Sequence, residues 1–231
     1  MQKGVFIVID GTDGSGKATQ TKLLVEKMKQ EGLRVETISF PQYGKKSAGC
    51  VEEYLAGTYG SAQEVGPYRT SVFYAVDRFD ASKKIQTWLE SGSHVVCDRY
   101  VGANMGHQGS KILDPAERKK FFAWAIAFEH DLMGIPKPDL NLILHIPSEL
   151  TLELMHRREQ TEGSKHGLEH DVHEADPGHL AAAEQAYLDI AEQFENFHLV
   201  ECIEKDELMT PEAIHQKIWK KINSLTSLKE E

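Results

Sequence analysis

Residues 10–19, Asp10-Gly11-Thr12-Asp13-Gly14-Ser15-Gly16-Lys17-Ala18-Thr19, set three glycines and a lysine between an apolar run and a helical pattern. Glycines let the backbone curl so that successive N–H groups converge on phosphate oxygens. The helix that follows adds about half a positive charge at its N-terminus. A lysine in the position of Lys17 reaches the β- and γ-phosphates of a nucleotide. A plain glycine turn before a helix is the alternative, and it would have to produce both spacing and context by chance. One position departs from the pattern. The residue after Lys17 should carry a hydroxyl for Mg²⁺, and it is Ala18; Thr19 stands one residue later, about 100° round the helix. Either the metal is held through waters and a carboxylate elsewhere, or the loop is degenerate. Intact Lys17 and glycines favour the first.

Other residues have chemistry in their spacing. Asp98-Arg99 closes the apolar run from His94, and in an open parallel sheet ligands bind beyond the carboxyl ends of strands, so both would face the phosphates. An ordinary surface ion pair is the alternative. Tyr74 and Arg78 stand four apart and share a helix face, which suits a pyrimidine pocket with an aromatic plane and a donor for a carbonyl. The alternative has Tyr74 packed inward and Arg78 solvated. His166-Gly167-Leu168-Glu169-His170 matches the H-x-x-E-H zinc peptidase pattern, the signature of a hydrolase. Gly163, Ser164 and Gly167 interrupt that stretch, however, and it lacks the apolar face a ligand-bearing helix needs.

These groups need elements to hold them. Gly4–Asp10 reads as a buried strand, Lys17–Gln30 as a helix, Arg34–Phe40 as a strand, and Pro67 to about Ser91 as a helix stopped by Gly92. His94–Asp98 and Asp139–Ile146 read as further strands, with a capped helix from Asp114-Pro115 between them. Pro147-Ser148 opens another helix. A helix through Ala183, Tyr187, Ile190 and Phe194, a strand at His198–Cys202 and a helix from Thr210-Pro211 follow. The polar stretch Gln160–Gly178 has no apolar period and reads as a lid or as disorder. Strands alternating with helices give an α/β P-loop NTPase fold, a five-stranded parallel sheet with helices on both faces. All 231 residues read as one kinase domain with a mobile lid at about 157–178. A net charge of −10 disfavours nucleic-acid binding but not a small anionic ligand held by local cations. No apolar run approaches the roughly 20 residues of a membrane span. Three scattered cysteines and an N-terminus unlike a signal peptide fit a cytoplasmic protein.

Read together, the residues resemble the thymidylate kinases over nearly the whole chain. The resemblance rests on the loop Gly11–Gln20, on Phe40-Pro41, on Phe73-Tyr74-Ala75-Val76-Asp77-Arg78, on Asp98-Arg99-Tyr100, on His107-Gln108-Gly109 and on Lys137-Pro138-Asp139. It implies the nucleoside monophosphate kinase fold, transfer from Mg·ATP to dTMP, and a homodimer. It further implies that the loop from Gly11 to Thr19 holds ATP and that Asp98 organises Mg²⁺ and its waters. Arg99 would bridge donor and acceptor phosphates, and Asp13 would meet the acceptor ribose, unless it only makes an Asx-type turn. Tyr74 and Arg78 would lie on the base-binding helix. Gln108 offers a donor and an acceptor to N3–H and O4 of thymine, with Asn104 one turn upstream if that segment is helical.

The chain departs from that family in two places. Many members place an arginine in the loop after the acidic residue; here it is Gly14, which shifts the cation to the lid, where Arg157, Arg158 and Lys165 are candidates. Asp171-Val172-His173-Glu174 falls where an arginine often stands. The loop after the second strand lacks the usual arginine for the acceptor phosphate and offers Tyr43, Lys45, Lys46 or Arg69 instead. A deoxynucleoside kinase would use a carboxylate base there, and Phe40–Lys46 contains none. Kinases of other nucleoside monophosphates remain alternatives, as do an inactive binding module and, remotely, a zinc hydrolase using His166 and His170.

Overall fold

The computed structural model describes residues 3–151, 177–225 and 228. Five parallel strands form one sheet in the order β2-β3-β1-β4-β5: β1 Phe6–Gly11, β2 Val35–Ser39, β3 His94–Asp98, β4 Leu140–His145 and β5 Phe197–Glu201. β1 is buried along its whole length, as its uninterrupted apolar run requires for a strand covered on both faces. Period-two alternation divides its side chains between two cores. Phe6 and Val8 join Val95, Cys97, Tyr100, Phe121 and Phe122 on one face; Ile7 and Ile9 join Leu24, Met28, Val96 and Leu142 on the other.

Helices α1 (Lys17–Gln30) and α8 (Pro211–Leu225) cover the second face. The first is covered by α4 (Pro67–Glu90), α5 (Val101–Gly109), α6 (Pro115–Ile126) and α7 (Pro177–Gln193). Two short helices, α2 (Gly49–Leu55) and α3 (Ala62–Val65), precede α4. Asp114 caps α6 as its sequence predicts, its side chain accepting from Ala116 and Glu117 N–H at 2.7 and 3.2 Å. Beyond α6 the chain continues as a π-helical segment, Ala127–Leu132. A two-residue hairpin, β6 (Ile203–Glu204) with β7 (Glu207–Leu208), follows β5.

The sequence-based expectations for five strands and for the helices at α1, α4, α6, α7 and α8 agree with this arrangement. Helices α2, α3 and α5, the π segment and the hairpin were not anticipated. Register places the ends that matter side by side: Ile9 and Ser39 each pair with Asp98, and Gly11 pairs with Leu144. The glycine loop, Asp98-Arg99 and the cis Phe40–Pro41 junction therefore emerge together at the carboxyl end of the sheet.

Candidate active site

The loop after β1 takes the curled form its glycines allow. Gly11, Gly14 and Gly16 have φ of 146°, 81° and 85°, values that side chains with a Cβ rarely adopt. A Cβ on Gly11 would sit 2.7 Å from the Leu144 carbonyl, so the loop also depends on close approach to β4. Lys17 begins α1 and is buried; its Nζ donates to the Thr12 carbonyl at 2.8 Å and lies 4.0 Å from Asp13 Oδ1. Burial, with Arg99 nearby, lowers the lysine pKa to about 8. Thr12 Oγ1 and Ser15 Oγ are buried without hydrogen-bond partners among the described residues. Ala18 and Thr19 are both exposed.

Asp98 and Arg99 arrive from β3. Arg99 holds φ of 64°, a left-handed conformation unusual for a side chain of its size. Its N–H donates to the Ile9 carbonyl at 3.0 Å, and the next N–H, of Tyr100, donates to Asp10 Oδ1 at 3.1 Å. Asp10 is fully buried and thus pins the turn; burial raises its pKa to about 6. The guanidinium of Arg99 pairs with Asp13 through Nη2, and Nη1 donates to His107 Nε2 at 3.3 Å. Burial alone would raise the Asp13 pKa, but Arg99, His107 and Lys17 hold its carboxyl far below the usual range. His107 is pushed down to about 3, chiefly by burial, so it stands neutral and accepts. Asp98 keeps one buried oxygen, Oδ1, without a partner among the described residues, and burial raises its pKa.

The expected base-binding residues lie on α4 and α5. Asn104 and Gln108 are one turn apart on α5, both buried, and neither Nδ2 nor Oδ1 of Asn104 has a hydrogen-bond partner among the described residues. Tyr74 packs against the small cluster of Val51, Tyr54, Leu55 and Val65. Arg78 is neither solvated nor facing outward. It is 2% exposed and forms a double hydrogen bond with Glu129, Nε to Oε2 and Nη2 to Oε1, each 2.6 Å. Phe40 is buried against the Tyr100 ring at 5.6 Å, while Tyr43, Lys45 and Lys46 are exposed on the loop that follows. Arg69 is exposed, its Nη1 3.4 Å from the Glu64 carbonyl.

Several residues of this site escaped sequence reading. Asp77 organises the loop after β2: its carboxylate accepts from Gln42 N–H at 2.7 Å and from Ser47 Oγ at 2.7 Å. Its position beside Arg78 in the helix motif was the available signal. Glu129 is supplied by the π segment, a local widening frequent at functional sites. Lys111 donates to Gln108 Oε1 and Tyr54 OH, both at 2.6 Å, and burial lowers its pKa to about 8. Nothing in the sequence singled out Lys111 or Glu129. The expected lid cations Arg157, Arg158 and Lys165, and the histidines His166, His170 and His173, lie outside the described residues. Among the described residues no three His, Cys, Asp or Glu side chains converge as a metal cluster.

A family model described as Thymidylate kinase matches residues 9–218. The chain belongs to the thymidylate kinase family. A thymidylate kinase of Mycobacterium tuberculosis is 32% identical over 157 residues, covering 68% of this chain and 72% of the relative. One from Caulobacter vibrioides is 31% identical over 154 residues, 66% and 70% of the two chains. Among solved structures, thymidylate kinase from Candida albicans superposes with a TM-score of 0.71 at 20% identity, covering 96% of this chain and 92% of its own. That likeness shows the shared P-loop fold. Membership makes the chain a nucleotide-phosphorylating enzyme that uses ATP, and it lends no support to the zinc-hydrolase alternative. No helix among the described residues is long and apolar enough to cross a membrane.

Proposed function

We propose that the protein transfers the γ-phosphoryl group of ATP to dTMP, with Lys17 and Arg99 serving the phosphates and the Tyr74, Asn104 and Gln108 pocket serving the base. The observation that carries this reading is the convergence of Lys17, Asp13, Asp98 and Arg99 at the carboxyl ends of β1 and β3. The acceptor is a phosphate monoester, largely dianionic at neutral pH because its second pKa is about 6. It needs no general base. The barrier is electrostatic, since two anionic groups must meet in line while charge spreads over the transferred group.

The chain's residues answer that demand in place. Loop N–H groups and the α1 N-terminus receive the donor phosphates, and Lys17 exchanges the Thr12 carbonyl for a phosphate oxygen. Arg99, anchored through its own N–H and that of Tyr100, is placed to bridge donor and acceptor. Asp13, which pairs with Arg99, is the proposed contact to the acceptor ribose. The unpartnered Asp98 Oδ1 fits a role toward Mg²⁺ through water, and Ala18 leaves that carboxylate as the main candidate. Bound there, the ion would neutralise phosphate charge. Tyr43, Lys45, Lys46 and Arg69 remain the candidates for the acceptor phosphate, and Arg157 or Arg158 for the lid cation.

A homodimer is supported by the solvent face of α4, where Tyr68, Val72, Val76 and Phe79 form an exposed apolar stripe at helical spacing. Val76→Glu with Phe79→Glu should convert a dimer to a monomer in light scattering. A cytoplasmic setting is consistent with three free cysteines. A coupled ATP-consumption assay across dTMP, dUMP, UMP, dCMP, AMP and thymidine tests the assignment. Highest kcat/KM with dTMP is expected, and preference for thymidine over dTMP would sink it.

A further inference from the structure

Gln108 can present either end of its amide to a ligand, and which end it presents decides which bases are accepted. Its side chain is almost wholly buried, and Oε1 accepts from Lys111 Nζ at 2.6 Å. An ammonium only donates, so the amide cannot turn over without placing its NH₂ against a cation. Lys111 is itself held. It donates to Tyr54 OH at 2.6 Å, rests 5.2 Å from the centre of the Tyr54 ring, and lies 3.4 Å from the Ala62 carbonyl. Tyr54 belongs to the cluster on which Tyr74 packs, so α2, α3, α4 and the end of α5 are joined at this point. Among the described residues no acceptor meets Gln108 Nε2. One turn upstream, the Asn104 amide is also without partners.

We infer that Lys111 is a positioning residue that fixes the Gln108 amide with its NH₂ toward the base, so that the site selects pyrimidines carrying a carbonyl rather than an amine at C4. This rests on Gln108 reading the base, as proposed above. The NH₂ donates to O4 of thymine or uracil, while Oε1 keeps a second lone pair for N3–H. Cytosine presents an amine at C4 and an unprotonated N3, which sets donor against donor and acceptor against acceptor. A glutamine free to turn would accommodate cytosine by reversing both hydrogen bonds. The pinned one does not.

The test is the ratio of kcat/KM for dTMP over dCMP, with dUMP as the methyl-free control. Mismatched hydrogen bonding in a buried site costs two or more orders of magnitude, so a wild-type ratio of at least about 100 is expected for both dTMP and dUMP. Lys111→Met, which keeps the length and removes the donor, should lower that ratio at least tenfold, mainly through better use of dCMP. Lys111→Arg, which restores a cationic donor, should return most of it. If Lys111→Met does not fold, Lys111→Ala is judged by the same ratio. A folded charge-removing variant with the wild-type ratio overturns the inference, provided Gln108→Ala shifts it. A ratio that Gln108→Ala leaves unchanged overturns the base-reading role itself, and the inference with it.

Discussion

Replacing Glu129 by Gln should be among the most damaging conservative substitutions in this protein. The carboxylate and the Arg78 guanidinium are 1% and 2% exposed and share two hydrogen bonds of 2.6 Å. Gln keeps the shape but removes the charge, and one of the two bonds loses its acceptor. Arg78 cannot respond by losing a proton, because guanidinium stays charged under any working condition. The variant therefore leaves an uncompensated cation in the core, against the face of Tyr100 at 5.9 Å. Breaking a buried pair from one side costs about 3–5 kcal/mol. For a chain of this size each kcal/mol moves Tm by about 2–4 °C, so a drop of about 6–20 °C is expected. Calorimetry and urea unfolding measure it directly. The double variant Arg78→Met, Glu129→Leu should recover most of the stability, since an apolar pair of similar volume replaces a buried ion pair at little cost. Recovered stability with an unchanged KM for dTMP would confine the pair to the core, and a raised KM would show that Arg78 also serves the base. A Glu129→Gln protein melting within 2 °C of wild type would refute the reasoning, because the pair would then not be isolated from water (about 2 °C being less than 1 kcal/mol here).

Three further outcomes are expected. Gly102→Ala would set a Cβ 2.4 Å from Asp10 Oδ2 and 2.7 Å from Phe197 Cε1, so a loss of about 1–3 kcal/mol in urea unfolding is expected, and unchanged stability would count against the packing. Asp10 titrates at about 6 in the fold against an ordinary 3.8, so the stability it allows is fully present below pH 3.8 and is lost as pH rises through 6. Asp10→Asn should flatten that pH window and gain up to about 3 kcal/mol at pH 7.5, while a variant with the wild-type pH profile would show that Asp10 is not the group responsible. Ala18→Ser should alter the Mg²⁺ against Mn²⁺ preference more than kcat; an unchanged metal dependence in a titration of activity would mean that the hydroxyl position is not used.

What the sequence made legible was local. The glycine loop declares itself because curled backbone, lysine and helix start are contiguous, and β1 because a strand buried on both faces needs an unbroken apolar run. Helix α5 was hidden for an equally physical reason. Gly102, Gly106 and Gly109 lower helix propensity and left the segment unassigned, yet each is where another side chain lies too close for a Cβ: Asp10 and Phe197 at Gly102, the Tyr187 ring at Gly106, Phe122 at Gly109. Tertiary packing overrides propensity there. The Arg78–Glu129 pair spans 51 residues and the Arg99–Asp13 pair 86, with no local signal joining either. Tyr74 and Arg78 could be placed on a helix, but not oriented, from spacing alone, and for Asn104 and Gln108 the helix itself was left open.

The charges assembled around the loop leave part of the neutralisation to other groups. Lys17 and Arg99 bring two positive charges, while Asp10, Asp13 and Asp98 bring up to three carboxylates, and His107 stays neutral. Before any ligand arrives, then, the cations are already matched, with Arg99 paired to Asp13 and Lys17 turned onto its own loop. A triphosphate and an acceptor phosphate would bring further negative charge to the same place, on a chain whose formal net charge is −10. Drawing Arg99 from Asp13 toward phosphate exchanges one anion for another and leaves the total unbalanced. Beyond the loop N–H groups and the α1 N-terminus, we propose that neutralisation comes from outside this group, from a divalent ion at Asp98 and from cations such as Arg157 and Arg158. Removing both arginines (Arg157→Ala, Arg158→Ala) should lower kcat by about 10³-fold or more if they supply that charge in the transition state. If KM for ATP alone rose and kcat held, their role would be confined to binding.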